Sequence, residues 1–183
     1  MRMRDRFKSA LVNPTWEQMV ERDPLLVYSN YLSGRVHVLL DLSDEIILNL
    51  DQGFSGQLID AGKVGRADSL MWLWIMGAYE VVRTMCQSET CFSKSIHNEL
   101  RQLKKVLAEV RMPAAKMEKS GAKVPVPSDR SPTGWNPARR DLLVNAPCSA
   151  SVFARDLLDE FDRILSSIKP NDILARHEDA YAG

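Results

Sequence analysis

The stretch LMWLWIMGAYEVVRTM, residues 70–85, decides the fold of this chain because its sixteen residues include only two charged side chains, Glu80 and Arg83. At about 100° per residue on a helix, its apolar side chains cover well over half of the circumference. We therefore expect a helix buried almost all round, either at the centre of a bundle or in a subunit interface. One narrow polar seam interrupts it, formed by Ser69, Met76, Glu80, Arg83 and Gln87.

Length and charge indicate one soluble helical domain over residues 1–183. A chain of this length buries a core without help from disulfides or metal. Its 24 basic and 24 acidic side chains balance, so no overall field attracts nucleic acid or anionic lipid. No apolar run approaches the roughly 20 residues that span a bilayer. The sequence therefore predicts a cytoplasmic protein without a membrane partner.

The three cysteines predict neither a disulfide framework nor a metal centre. An odd number of cysteines leaves at least one unpaired. Together with His97 they could supply four soft ligands, but Cys86 and Cys91 are more widely spaced than usual and Cys148 is remote. Cysteine is also a frequent small core residue. We accordingly predict no metal and no cofactor.

Two helices are predicted before the central segment. Asn13 followed by Pro14 is an N-cap with proline in the first turn, which indicates a short helix ending near Arg22. Apolar side chains at helical spacing then predict a longer helix over residues 35–52.

Glycines are expected to separate that second helix from the central one. Residues 53–66 contain four of the nine glycines and are interpreted as a connection. Asp68 or Ser69 would then cap the central helix. A further helix is predicted over residues 93–119, with Pro113 kinking it or ending it early.

Residues 119–148 are predicted to form a long non-helical arm. The segment holds five of the nine prolines and shows no helical period. Connections of this length are uncommon in compact domains and are usually binding loops or disordered segments. We expect residues 124–126 and 142–144 to pair as a short β-hairpin, with Trp135 near its tip.

The last predicted helix completes the fold class. It begins at Ser149 or Ser151, ends near Ile168 and is followed by a polar tail over residues 170–183. The predicted fold is therefore mainly α, an antiparallel bundle of four or five helices with a long proline-rich arm that includes a hairpin.

Four polar side chains are predicted to converge at the helical hairpin 80–101. Glu80 and Arg83 are three residues apart and can pair on one helix. His97 and Arg101 begin the next helix, and a short connection places the end of one helix beside the start of the next. Arginine suits a carboxylate or phosphate, and histidine titrates near neutral pH. The structural alternative is a hairpin end that simply faces solvent.

The helix over residues 94–119 is locally basic, because its lysines and arginines outnumber its glutamates. One side of it carries His97, Arg101, Lys104, Ala108 and Arg111. Such a stripe suits the phosphates of nucleic acid. The structural alternative is pairing with the last helix, whose acidic side chains are Asp156, Asp159, Glu160 and Asp162.

Three functions follow as hypotheses. The first is a binding or interaction module, including a regulatory one, that self-associates through the apolar face of the central helix, with Trp72, Trp74 and Tyr79 as interface aromatics. The second is a hydrolase or nuclease whose site lies at hairpin 80–101, although the sequence contains no catalytic motif. The third is a nucleic-acid adaptor that uses the basic helix 94–119.

Overall fold

Four long helices and a short hairpin make up most of the part of the chain that the structure describes. The computed structural model describes residues 15–21, 32–87, 89–118, 124–127, 131–145 and 151–175. The helices are α1 (Trp16–Glu21), α2 (Ser33–Gly53), α3 (Ala61–Met85), α4 (Lys94–Lys116) and α5 (Ala154–Ser167). The strands are β1 (Gly134–Asn136) and β2 (Asp141–Leu143). The predicted fold class is confirmed.

Helices α2 and α3 run antiparallel and approach closely. Gly53 at the end of α2 meets Val64 near the start of α3, and Gly77 in the second half of α3 meets Leu39 in the first half of α2. A Cβ atom added to Gly77 would lie 2.9 Å from Leu39 Cδ2. Glycine at this position therefore lets the two helix backbones come together.

The other long helices continue the same up-and-down arrangement. Trp72, midway along α3, donates a hydrogen bond to the carbonyl of Ala114 near the end of α4, at 3.0 Å. Arg155 at the start of α5 bonds Asp51 at the end of α2, at 2.7 Å. Helix α5 thus begins at the end of the bundle where α2 ends and α3 begins. It runs parallel to α3, on the opposite side of the bundle.

The centre of the core is an aromatic contact between these two opposite helices. Trp74 of α3 meets Phe161 of α5 edge to face, with 5.1 Å between ring centroids and 73° between the planes. Both side chains are fully buried. Edge-to-face geometry is a favourable arrangement for aromatic pairs. The central segment therefore supplies the middle of the core, as its composition predicts.

Burial of α3 nevertheless leaves one face open, so the prediction of a helix buried almost all round is wrong for that face. Trp72 and Leu73 are 49% and 50% exposed. Met76, the next apolar residue along this side, is only partly buried. A four-helix bundle leaves the outer side of each helix in solvent, which accounts for the open face of α3. Neighbouring helices cover its remaining sides.

Helix α3 also begins well before its predicted caps. Asp60 is the N-cap, and its carboxylate accepts a hydrogen bond from the Lys63 amide at 3.1 Å. Asp68 and Ser69 lie inside the helix. Val64 is fully buried in the first turns, so tertiary packing outweighs the poor helix propensity of the glycines here.

Pro113 is predicted to kink α4 or to end it early, and α4 ends at Lys116, short of the predicted residue 119. The helix continues to Lys116 with Pro113 buried inside it. Met117 then adopts a left-handed conformation with φ of 53°. Its carbonyl accepts a hydrogen bond from the Val126 amide at 2.6 Å, which fixes the next described part of the chain beside the end of α4.

The hairpin forms with the predicted second strand, shifted by one residue, but its first strand is Gly134–Asn136 and not residues 124–126. The pairs are Gly134↔Leu143, Trp135↔Leu142 and Asn136↔Asp141. Residues 124–126 do not pair with 142–144; they lie beside the end of α4 instead. Leu142 and Val144 are fully buried in the main core, so the described part of the predicted arm is a layer of the fold.

Asp141 of the hairpin caps α5 from a distance. Phe153 occupies the N-cap position and provides no capping side chain, and neither does the predicted cap Ser151. The buried Asp141 carboxylate accepts hydrogen bonds from the amides of Arg155, at 3.3 Å, and Leu142, at 2.8 Å. Burial raises the pKa of Asp141 more than these bonds lower it. The hairpin therefore sets where α5 begins.

The two ends of the described chain differ in detail from the predictions. Thr15 and Gln18 form a capping box at the start of α1, with reciprocal bonds of 3.2 and 3.0 Å. In the predicted polar tail, Ile173 is buried and bridges Phe92. The described part of that tail is therefore packed against the connection between α3 and α4. Outside the described residues lie Asn13, Pro14, Ser149 and 176–183.

A pH titration of stability tests the buried Asp141. The pKa of Asp141 is higher in the folded protein than in the unfolded chain. Protonation of Asp141 therefore stabilises the fold at low pH, and this stabilisation is lost as pH rises through the folded-state pKa. The unfolding free energy of the parent minus that of Asp141→Asn should fall as pH rises above the ordinary pKa of an aspartate. Chemical denaturation at each pH measures it, with the exposed Asp159→Asn as control. A difference that stays constant or rises for Asp141 would contradict the assignment.

Candidate functional site

Glu80 is the centre of one charged cluster on the surface between α3 and α4. Its Oε2 accepts a hydrogen bond from Arg83 Nε at 2.8 Å, and its Oε1 lies 3.6 Å from Arg111 Nη2. The Arg111 guanidinium also lies over the Tyr79 ring, 4.6 Å from its centroid. One carboxylate thus serves two arginines, one of them in a cation–π contact.

His97 and Arg101 belong to a second cluster, built around Glu89. Glu89 Oε1 lies 3.5 Å from Arg101 Nη1 and 3.8 Å from His97 Nε2. His97 is buried, whereas Glu89 is well exposed. The sequence analysis did not identify Glu89 as a partner of these side chains. Its position in the short connection between α3 and α4 is the feature that could have indicated it.

The predicted four-residue site is therefore divided into two pairs. Glu80 contacts Arg83, and His97 and Arg101 share Glu89, but among the described residues no ion pair or hydrogen bond joins the two pairs. The reason is the antiparallel packing. Glu80 contacts Arg111 near the end of α4, whereas His97 and Arg101 lie in the first turns of that helix.

The basic stripe of α4 is also interrupted. His97 points into the core, since it is buried with the apolar side of the helix. Arg111 is engaged with Tyr79 and Glu80. Arg101 and Lys104 therefore remain as a shorter basic patch, and burial of the nearby Cys86 raises the pKa of its thiol more than these two cations lower it.

The ion pair between α4 and α5 has the opposite polarity to the expected one, because α5 supplies the cation and α4 supplies the anion. Arg163 of α5 bonds Glu99 of α4 at 2.9 Å and Glu160 on its own helix at 2.8 Å. The bond to Arg163 lowers the pKa of Glu160. Asp156 pairs with Arg139 of the hairpin at 2.9 Å. At these contacts the acidic helix does not neutralise the basic side chains of α4.

Metal ligation finds no support in the described residues. No group of three or more histidine, cysteine or carboxylate side chains in the described ranges is arranged to hold an ion. Cys86 and Cys91 are both free thiols, and Cys148 lies outside these ranges. No described helix combines the length and apolar character needed to cross a membrane.

A second surface feature, the α2–α3 groove, lies beside the Glu80 cluster. Its apolar lining comes from Val38 and Leu42 of α2 and Leu73 and Gly77 of α3, and Arg35 and Glu80 contribute its charged groups. The groove encloses about 360 Å³. Val38 is 60% exposed. The groove therefore presents apolar side chains from two helices to solvent.

Known proteins offer no independent guide to this surface. Comparison with protein-family models, curated proteins and solved structures found no match to the chain. The contacts, burial and charges of the described side chains are therefore the basis for a functional assignment.

An NMR experiment tests the separation of the two charged clusters. Because Arg83 Nε donates to Glu80 at 2.8 Å, Glu80→Gln should shift the Arg83 Nε–H signal. Arg101→Ala and His97→Gln should leave that signal in place, since both residues contact Glu89 instead. If either of these variants moved the Arg83 signal as far as Glu80→Gln does, the four residues would form one site after all.

Proposed function

We propose that this protein is an interaction module that binds a second copy of itself through the α2–α3 groove. The observation that supports the proposal is the exposure of Val38 and Leu73, which lie on different helices and line one groove. Contiguous apolar surface of this kind commonly marks an interaction site. Burying both side chains would remove apolar area from water and favour association.

The shape of the groove suits a helix. It lies between two antiparallel helices, and Gly77 contributes no side chain to its floor. Ridges of side chains from one helix pack into grooves of this type on another. The exposed side chains of Val38 and Leu73 form such ridges on α2 and α3. Each copy of the protein therefore offers both a groove and a helix that can pack into the groove of the other copy.

Charge favours a second copy over an unrelated partner. Arg35 and Glu80, of opposite sign, both line the groove. In a two-fold interface the same patch is used by both subunits, so a contact made between two different residues is made twice. A patch that carries charges of both signs therefore does not repel its own copy across a two-fold axis.

The proposed interface differs in part from the aromatic face expected from the sequence. Trp74 is fully buried and cannot contact a partner, and the Tyr79 ring already packs against Arg111. Trp72 is half-exposed next to Leu73 on the open face of α3, but it does not line the groove. The aliphatic side chains of the groove, rather than three aromatics, supply the surface.

The alternative functions have less support. A hydrolase or nuclease at hairpin 80–101 would need Glu80 and Arg83 to act together with His97, yet these groups belong to separate clusters. A nucleic-acid adaptor using the basic helix 94–119 would depend on the shorter patch around Arg101. Both remain hypotheses, but neither has a surface as continuous as the groove.

Sedimentation equilibrium across the micromolar range tests the proposal. The parent should sediment as a species of twice the 20.7 kDa chain mass. Leu73→Lys should shift the protein to the monomer, because it places a charge in the apolar groove beside Arg35. Leu48→Lys is the matched control: Leu48 is 54% exposed on α2 but does not line the groove.

Two results would contradict self-association through this surface. One is a parent protein that remains monomeric at every concentration. The other is a dimer that Leu73→Lys and Leu48→Lys affect equally, since the contact would then lie elsewhere. Far-ultraviolet circular dichroism of each variant checks that the helices are intact.

A further inference from the structure

A second cavity lies on the other side of the exposed face of α3. It encloses about 310 Å³ between the first half of α3, the end of α4 and residues 131–133, which lead into β1. Asp68, Trp72 and Ile75 contribute to it from α3, and Ala114 from α4. Volumes of a few hundred Å³ are typical of small-molecule sites.

Asp68 carries a buried carboxylate oxygen that lacks a donor. Its Oδ1 is closed off from solvent and has no hydrogen-bond partner among the described residues. Buried polar atoms in folded proteins are usually bonded, because leaving one unsatisfied is costly. Asp68 as a whole stays partly accessible and lines the cavity. Oδ1 itself is closed off, so a cationic donor in the cavity would meet the accessible part of the Asp68 carboxylate and compensate its negative charge there.

Trp72 is held rigidly as a wall of this cavity. Its indole N–H donates to the carbonyl of Ala114 at 3.0 Å. Ala114 lies in the last turn of α4, where backbone carbonyls lack a donor within the helix. The bond satisfies that carbonyl and orients the indole. Indole rings attract cations through their electron-rich faces, more strongly than other aromatic side chains.

The remaining walls favour an apolar body on the ligand. Met71 and Ile75 are buried side chains that contribute to the lining. The hydroxyl groups of Ser131 and Thr133 lie 3.4 Å apart at the opposite wall. A carboxylate, an indole and an apolar surface therefore meet around one space.

We propose that this cavity binds a small primary ammonium compound with an apolar body, and that Asp68 is its counter-ion. A metal ion fits the cavity poorly, because hard cations need several oxygen ligands and no described cluster of three ligating side chains exists. The site is distinct from the α2–α3 groove and does not depend on self-association. Its ligand would enter beside Trp72, whereas a second copy would contact Leu73 on the other side.

Benzylammonium and benzyl alcohol are matched probes for this proposal. They share one apolar body and differ in whether the donor is charged. NMR titrations that follow the Trp72 indole N–H signal should show saturable binding of benzylammonium, about tenfold tighter than benzyl alcohol, because charge-assisted hydrogen bonds are roughly twice as strong as neutral ones.

Two variants assign the preference to one carboxylate. Asp68→Asn keeps the size of the side chain and should abolish the preference for benzylammonium. Asp159→Asn removes an equal charge from an exposed position on α5 and should retain it. The proposal is overturned if the parent shows no saturable benzylammonium binding, if it binds both probes equally, or if Asp68→Asn keeps the preference. Should Asp68→Asn fail to fold, the comparison of the two probes on the parent decides the matter.

Discussion

The edge-to-face contact between Trp74 and Phe161 is the interaction on which the rest of the structure depends. It joins the two helices that lie on opposite sides of the bundle, so α2 and α4 must fill the spaces between them. The contact lies midway along both helices and leaves their ends to be fixed separately. At one end Asp141 of the hairpin caps α5; at the other, Ile173 bridges Phe92. The Asp141 cap also holds the long connection between α4 and α5 against the bundle.

Both proposed binding surfaces result from the same orientation of α3. With Trp74 in the core, Leu73 lies about 100° and Trp72 about 200° round the helix from it, and both are about half exposed. Leu73 then lines the groove shared with α2, and Trp72 lines the cavity shared with α4. One buried aromatic therefore determines two exposed surfaces of different chemistry. The groove is apolar with charges of both signs, whereas the cavity contains a carboxylate.

Local pattern was enough to predict the helices but not their mutual arrangement. The periodicity of residues 35–52 and the apolar run at 70–85 gave the right element types, since burial of one face dominates such segments. The start of α3 was missed because burial of Val64 outweighs nearby glycines. The cap of α5 could not be found locally, because Asp141 is 13 residues from the Ala154 helix start. Likewise, Glu80 and His97 separate because the register between two helices is a tertiary property. Asp68 was predicted as a cap; only the cavity around it indicates a site.

Comparison of two adjacent tryptophans tests the central role of α3 most directly. Trp74→Ala empties the middle of the core, whereas Trp72→Ala removes a side chain that is half in solvent and has one hydrogen bond to Ala114. Chemical denaturation should show a loss of about 3–5 kcal/mol for Trp74→Ala and of about 1 kcal/mol for Trp72→Ala. Equal losses for the two variants, or a larger loss for Trp72→Ala, would contradict the placement of Trp74 at the centre of the bundle.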